Sequence, residues 1–398
     1  MCPLRNPIRE YAWGSRNAIA ELLGQPIPAP RPQAEIWMGD HPSDPSRARC
    51  RGDWILLPDL LRESPAEILG ESAAARFDGE LPFLFKVLAA ARPLSIQAHP
   101  NREQAREGFE RENAAGIALA ARERNYPDPH PKSELICALS PFSALCGFRP
   151  IAEIARVFRE LQVEAFETEV DALERDADAA ALGRFFSAVW NARGDRLTRA
   201  IDQAVKRAER RSDDPAARWM TALAALYPGD AGVLAPLFLN LVALAPGEGM
   251  YLGAGQLHSY LEGVGIEIMG NSDNVLRGGL TTKHVDVPEL CQVLRFEPGE
   301  PEVLLPREAS PGERVFKTPS DEFELAVLQV RAGTPWQSAR SRGVEILLSV
   351  AGDVTVADRT AGESFKLEHG ASVLIPDSVD RYELAGEGVV YRAGMPKR

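Results

Sequence analysis

The run His258–Lys283, HSYLEGVGIEIMGNSDNVLRGGLTTK, gathers one histidine, three acids, Arg277 and Lys283 among five glycines and an Asn-Ser-Asp-Asn tract. That mixture suits the lining of a polar site better than a packing element. Upstream, LSIQAHP sets Gln97 and His99 at i and i+2. On a strand this spacing turns both side chains to one face and Ala98 to the other. An inward polar pair on an apolar strand is costly to bury unless something binds it. A divalent metal would meet that cost; satisfaction by neighbouring backbone is the competing account.

His258 follows GMYLGAGQL, whose glycines allow a tight turn that presents it at a strand start, as a third ligand. Glu134, in NYPDPHPKSEL, would add a carboxylate where the chain re-enters a strand. Read alone, each is better explained by a structural histidine or by a solvated or salt-bridged acid. Together, two histidines, a glutamate and a glutamine suit a catalytic zinc that keeps one position open, with Mn, Co or Ni compatible by ligand type. Arg277 offers a planar fork for phosphate or developing oxyanion charge, and Lys283 a point charge. The combination points to a metal enzyme acting on an anionic, hydroxyl-rich substrate.

The elements that must position these residues alternate in character. Residues 1 to about 60 carry short strand-like pieces, including AEIWMGDHPSD running into a loop. Residues 81–98 read as two buried strands around Arg92-Pro93, residues 101–124 as helix, and Glu134–Phe148 as strand again. From 151 to about 240, Ile154, Val157, Phe158 and Leu161 begin an amphipathic theme repeated in LGRFFSAVW and RWMTALAAL. Residues 241–300 return to strands and glycine turns, and 301–398 are almost wholly β in pattern. The expectation is a mainly β protein with a helical insert: a catalytic β domain from 1–150 and 241–300, a helical domain from 151–240, and a C-terminal β domain from 301–398. No GxGxxG after a strand, P-loop or GxSxG elbow occurs.

A chain of 398 residues has room for two or three domains. Its net charge of -12 disfavours nucleic acid or an anionic membrane as main partner. Five scattered cysteines form no CxxC pair, so no disulfide framework is implied and a reducing cytoplasm fits best. The N-terminus lacks a signal-type apolar core. No stretch approaches the roughly 18 apolar residues of a membrane helix.

The opening run resembles the long signature of type I mannose-6-phosphate isomerases. It matches at His258, Tyr260, Gly263, Glu267, Met269, Ser272, Asp273, Asn274, Arg277, Gly279, Thr281 and Lys283. It departs at Ser259, Gly270, Gly278 and Thr282. A second signature is met at Tyr126, Asp128, Lys132 and Glu134, with His130-Pro131 and Ser133 departing from it. YAWGS (Tyr11–Ser15), AEIWMGDHP and PLSIQAHP also match. The resemblance spans the whole chain. It implies cupin-type (jelly-roll) β-barrels plus an α-helical domain, and one Zn2+ per chain held by Gln97, His99, Glu134 and His258. It also implies that Arg277 is catalytic, that Lys132 and Lys283 contact substrate, and that Ser95, Asp273 and Trp13 belong to the substrate-binding set. GAGQLH looks like a cupin half-motif. In the C-terminal domain Asp380 stands where such a motif has its histidine, so no metal is expected there.

The reaction so implied interconverts mannose 6-phosphate and fructose 6-phosphate through a cis-enediolate. Glu267 is the proton carrier favoured by its segment, with Lys132 or a metal-bound water as alternatives. A non-catalytic metal- or sugar-binding cupin is a rival reading, disfavoured by the two cations in a polar loop. An isomerase of the same architecture with another sugar phosphate is a second, left open by the departures at Pro131, Ser133 and Thr282. The expected partner is a small sugar phosphate, with no nucleic acid and no membrane. The chain is expected to be a monomer or small homo-oligomer in the cytoplasm.

Overall fold

The structure is a computed structural model that describes residues 1–50, 52–340 and 342–396. Two large antiparallel sheets and a block of helices account for it. The sheet that carries the site contains β1 (Glu35–Met38), β2 (Phe83–Ala90), β3 (Ile96–Ala98), β4 (Glu134–Ala138), β5 (Phe142–Phe148), β6 (Leu239–Leu244), β7 (His258–Gly270) and β8 (Leu276–Gly279). Its path runs β6-β5-β7-β2-β1, with β3 joining β7 to β8 and β4 pairing β7.

β2 shows why this sheet lies between layers. All eight residues of FLFKVLAA are buried, as a strand covered on both faces requires. Phe83, Phe85, Val87 and Ala89 pack with Ile266 and Ile268 of β7 against Leu325 and Ile346 of the second sheet. Residues of the alternate set, among them Leu84 and Lys86, face the other way, because successive side chains on a strand alternate.

The second sheet contains β9 (Glu324–Val330), β10 (Glu345–Asp358), β11 (Ser372–Ile375) and β12 (Glu383–Gly394). The N-terminal strand Cys2–Arg5 pairs with β11 on one side and with Arg47–Cys50 on the other. That pairing sets Leu4 opposite Ala48 and closes a disulfide between Cys2 and Cys50. The sequence reading implied no disulfide. The two cysteines are 48 residues apart with no spacing signature, and only the strand register brings them together. Cys137 and Cys146 are free and buried, and Cys291 is free and half-buried.

Between β5 and β6 lie α1 (Ile151–Glu160), α2 (Glu167–Asp176), α3 (Ala179–Asn191), α4 (Gly194–Ala208) and α5 (Pro215–Leu226). Ile154 and Phe158 face inward as their spacing predicts. Asp178 and Asp214 cap α3 and α5 by accepting from backbone N–H groups. The helical core is continuous with the site: Phe185, Trp190 and Leu234 share one apolar cluster with Ile96 and Ala98 of β3 and with Leu276 and Leu280. The helix expected over 101–124 spans only Arg102–Ala114, opened by an Asn101/Gln104 capping box. Gly116, with a positive φ, follows its end. Among the described residues no helix is long and apolar enough to cross a membrane.

Candidate metal centre and cleft

One cross-strand row organises the centre. His258 on β7 lies opposite Gln97 on β3, and Gln97 lies opposite Arg277 on β8. Directly opposed residues of antiparallel strands share a face, so the three side chains project to the same side. His99, just past β3, and Glu134, the first residue of β4, come in from the neighbouring strand ends. His99, Glu134 and His258 are buried, and their ligating atoms all lie within 4.8 Å of one another.

Hydrogen bonding fixes both imidazoles. His99 Nδ1 is 2.7 Å from the Asn274 carbonyl and His258 Nδ1 is 3.0 Å from the Gln256 carbonyl. A carbonyl can only accept, so each Nδ1 carries the proton and each Nε2 presents a lone pair. Those Nε2 atoms meet Glu134: His99 at 3.3 Å from Oε1 and His258 at 3.4 Å from Oε2. Glu134 Oε2 is buried and accepts no hydrogen bond among the described residues. Burial, helped by Lys132, pushes the His99 ring down to about 4, which keeps it neutral near pH 7. Burial would raise Glu134, but the Lys132 ammonium outweighs it and holds the carboxyl well below its ordinary range. Two imidazole lone pairs converge on the Glu134 carboxylate, and Lys132 meets only Oε1 and His99, so a further cation at the Oε2 and His258 side would relieve their repulsion. Gln97 Nε2 lies 3.5 Å from His258 Nε2, and a half-turn of that amide would present its oxygen. The donor set therefore fits a zinc-type ion, with each imidazole oriented by a backbone carbonyl.

Asn274 owes its position to Asp128. The Asp128 carboxylate accepts from the Ser272 hydroxyl at 2.8 Å and from the Asp273 N–H at 2.7 Å, and the Asn274 amide donates to the Asp128 and His130 carbonyls, each at 2.8 Å. The Ser-Asp-Asn turn thus holds a carbonyl against the His99 ring. His130 contributes backbone only. Its side chain is exposed and lines a separate depression with Arg102 and Glu322.

The cleft over the centre measures about 400 Å³ and is lined by Trp13, Ser95, Gln97, Lys132, Glu134, Glu267, Asp273, Arg277 and Lys283, among others. Lys132 reaches Glu134 Oε1 and stands 3.4 Å from His99 Nε2. Asp273 pairs with His41 at 3.3 Å at the rim. Trp13 stacks on Tyr11. Arg277 and Lys283 form no ion pair among the described residues; burial lowers both, and Asp273 only partly opposes this. Two such cations lining one cleft are suited to an anion.

Glu267 reaches the same cleft through an irregularity. It stands nine residues after His258, an odd spacing that would put the two on opposite faces of a regular strand. A bulge between Tyr260 and Glu262 resets the alternation, and Gly263 follows with φ of 132° against Phe142. β7 pairs with β5 before the bulge and with β2 and β4 after it. Tyr260 then donates its hydroxyl to Glu267 Oε1 at 3.0 Å.

The sequence reading passed over Lys86 and Glu35. Lys86 Nζ lies 3.0 Å from Glu267 Oε2 and 3.6 Å from Glu35 Oε1, and Trp37 donates to Glu35 at 2.8 Å. The signal was present: a lone lysine inside FLFKVLAA, an apolar run that has no room for an unpaired charge.

Comparisons with known proteins agree over the whole chain. A family model described as "Phosphomannose isomerase type I, catalytic domain" matches residues 1–151, and one for the helical insertion domain of the same family matches residues 158–239. The chain is 39% identical to mannose-6-phosphate isomerase of Escherichia coli K12, over 98% of this chain and 99% of that one. It is 32% identical to the Homo sapiens mannose-6-phosphate isomerase, over 94% and 92%. A variant of phosphomannose isomerase from Salmonella typhimurium superposes with a TM-score of 0.93 at 37% identity, over 100% of both chains. A zinc-bound mannose 6-phosphate isomerase gives 0.91 at 37% identity, over 100% and 99%.

Proposed function

Since the chain belongs to the type I phosphomannose isomerase family, we propose that its cleft interconverts mannose 6-phosphate and fructose 6-phosphate with one zinc ion bound. The observation that carries this reading is a cleft that Glu134 of the His99–Glu134–His258 trio lines together with Arg277 and Lys283, two cations without an ion pair among the described residues. Zinc held by His99, Glu134, His258 and Gln97 supplies a Lewis acid for the sugar oxygens.

The remaining work falls to side chains of the chain itself. A proton must leave C2 of the aldose and return at C1. Glu267 is assigned that transfer: burial raises its carboxyl above the ordinary range, against the pull of Lys86. Arg277 neighbours the ligand Gln97, so its guanidinium is assigned to the charge that builds on the enediolate oxygen. Lys283, six residues further on and itself exposed, is assigned to the phosphate, with Ser95, Asp273 and Trp13 as further contacts. Lys132 stands against the ligand trio and is a second candidate for moving a proton. A cytoplasmic location belongs to the same reading, because a charged sugar phosphate is retained where it cannot cross lipid.

A panel of mannose 6-phosphate, glucose 6-phosphate and free mannose, assayed with zinc content measured, tests the proposal. Turnover confined to mannose 6-phosphate is expected. Zinc-loaded protein with no turnover of any of the three would return the chain to a binding role.

A further inference from the structure

The segment between the two cations is gripped from outside its own sheet. Trp190, on α3, donates its indole N–H to the Gly278 carbonyl. Asp230, after α5, accepts from the Leu280 N–H at 2.9 Å with one oxygen and from the Gly232 N–H at 2.7 Å with the other. The backbone held in this way is irregular. A bulge lies between Arg277 and Gly279, and Leu280 has a φ of 53°, a conformation that a leucine seldom adopts unless its surroundings impose it. At Gly279, with φ of 158°, a Cβ would stand 2.7 Å from Asp230 Oδ1, so the close approach requires glycine. Leu280 itself is buried in the helical core.

Arg277 lies before this grip and is fixed by the ladder to Gln97. Lys283 lies after it, on a loop whose course depends on the turn at 278–280. We propose that Asp230 and Trp190 are positioning residues through which the helical insert sets the place of Lys283 relative to the metal centre, and so the grip on the substrate's phosphate. The role rests on the isomerase reading above. It gives the insert a share in substrate binding that none of its side chains needs to exert by touching the reacting atoms. Tyr227, from the same part of the insert, donates to the Pro93 carbonyl at 2.9 Å, two residues before Ser95.

The test uses the full-length, zinc-loaded chain. KM and kcat are measured with mannose 6-phosphate, and the Kd of inorganic phosphate is read by titration calorimetry. Asp230→Ala is expected to raise KM and the phosphate Kd together by on the order of tenfold, with kcat within about threefold. Trp190→Phe keeps the stack on Phe186 and loses only the N–H donor, and should raise both by about threefold. Leu173→Ala, in the core of α2 and without a hydrogen bond to residues 277–283, should lower Tm and leave the phosphate Kd unchanged. An unchanged phosphate Kd in both Asp230→Ala and Trp190→Phe overturns the proposal. An equal rise in Leu173→Ala does so too. If the wild type binds phosphate but does not turn over mannose 6-phosphate, the functional reading fails, while the Kd series still decides the positioning role.

Discussion

Lys86 and Glu267 are direct cross-strand partners of β2 and β7, and their side chains meet at 3.0 Å inside the cleft. Both are buried. Burial alone would strip the charge from the lysine, but Glu35 and then Glu267 outweigh it and hold the ammonium charged. In return the ammonium limits how far burial can raise Glu267. The pair sets the proton affinity of the group assigned to carry the proton.

Lys86→Gln removes that restraint. A base with a raised pKa must lose its proton before it can act, so the acid limb of the kcat/KM profile should move to higher pH, by about one pH unit or more. Lys86→Arg should keep the limb near its original place. An unmoved limb in Lys86→Gln would take Glu267 out of the proton-transfer role.

Arg277→Ala should lower kcat by on the order of 10²–10³ at unchanged zinc content, the usual cost of losing a charge-stabilising donor. Arg277→Lys restores charge without the planar fork and should recover only part of that loss. A rise in KM with kcat intact would move Arg277 from the developing charge to the phosphate.

Chelation of zinc should abolish turnover and lower Tm, and added zinc should restore both. The trio holds lone pairs against a buried carboxylate, so a bound cation stabilises the folded chain by mass action, about 2.7 kcal/mol at a hundredfold excess over Kd. Glu134→Gln should weaken retention of zinc and shrink the Tm shift on chelation. A Tm indifferent to chelation in the wild type would count against the assigned ligand set.

Asp40 gives a pH dependence separate from catalysis. Its carboxylate accepts from the Leu81 N–H at 3.0 Å and from the Asn271 amide at 2.8 Å, and burial pushes it up to about 6 from an ordinary value near 4. Between these values the folded chain holds a proton that the unfolded chain has released. Stability from this group therefore falls as pH rises from about 4 to 6, by on the order of 2–3 kcal/mol in all. Asp40→Asn should remove the slope, so denaturant titrations of the two proteins should diverge in its favour towards pH 7. Parallel curves across that range would show that Asp40 titrates normally.

Much of the site could be read from residue types. Gln97, His99 and His258 drew attention as polar groups in apolar or glycine-rich strands, and Arg277 and Lys283 as cations in a polar loop. Lys86 carries a similar signal inside a run that reads as core. Asp230 and Trp190 carried none. An aspartate after a Pro-Gly turn and a tryptophan on an amphipathic helix are ordinary in those places, and their partners are backbone atoms 50 and 88 residues away.

The sequence by itself determined the alternation of strands and helices, the apolar faces and the types of polar residue gathered in the cleft, because each follows from local period or side-chain chemistry. Tertiary structure decided the rest. Regular alternation places His258 and Glu267 on opposite faces, and only the bulge after Tyr260 brings them to one cleft. Strand register set Arg277 beside Gln97 and joined Cys2 to Cys50. Register is fixed by which faces are buried against which neighbours, a property of the assembled sheets rather than of any one segment.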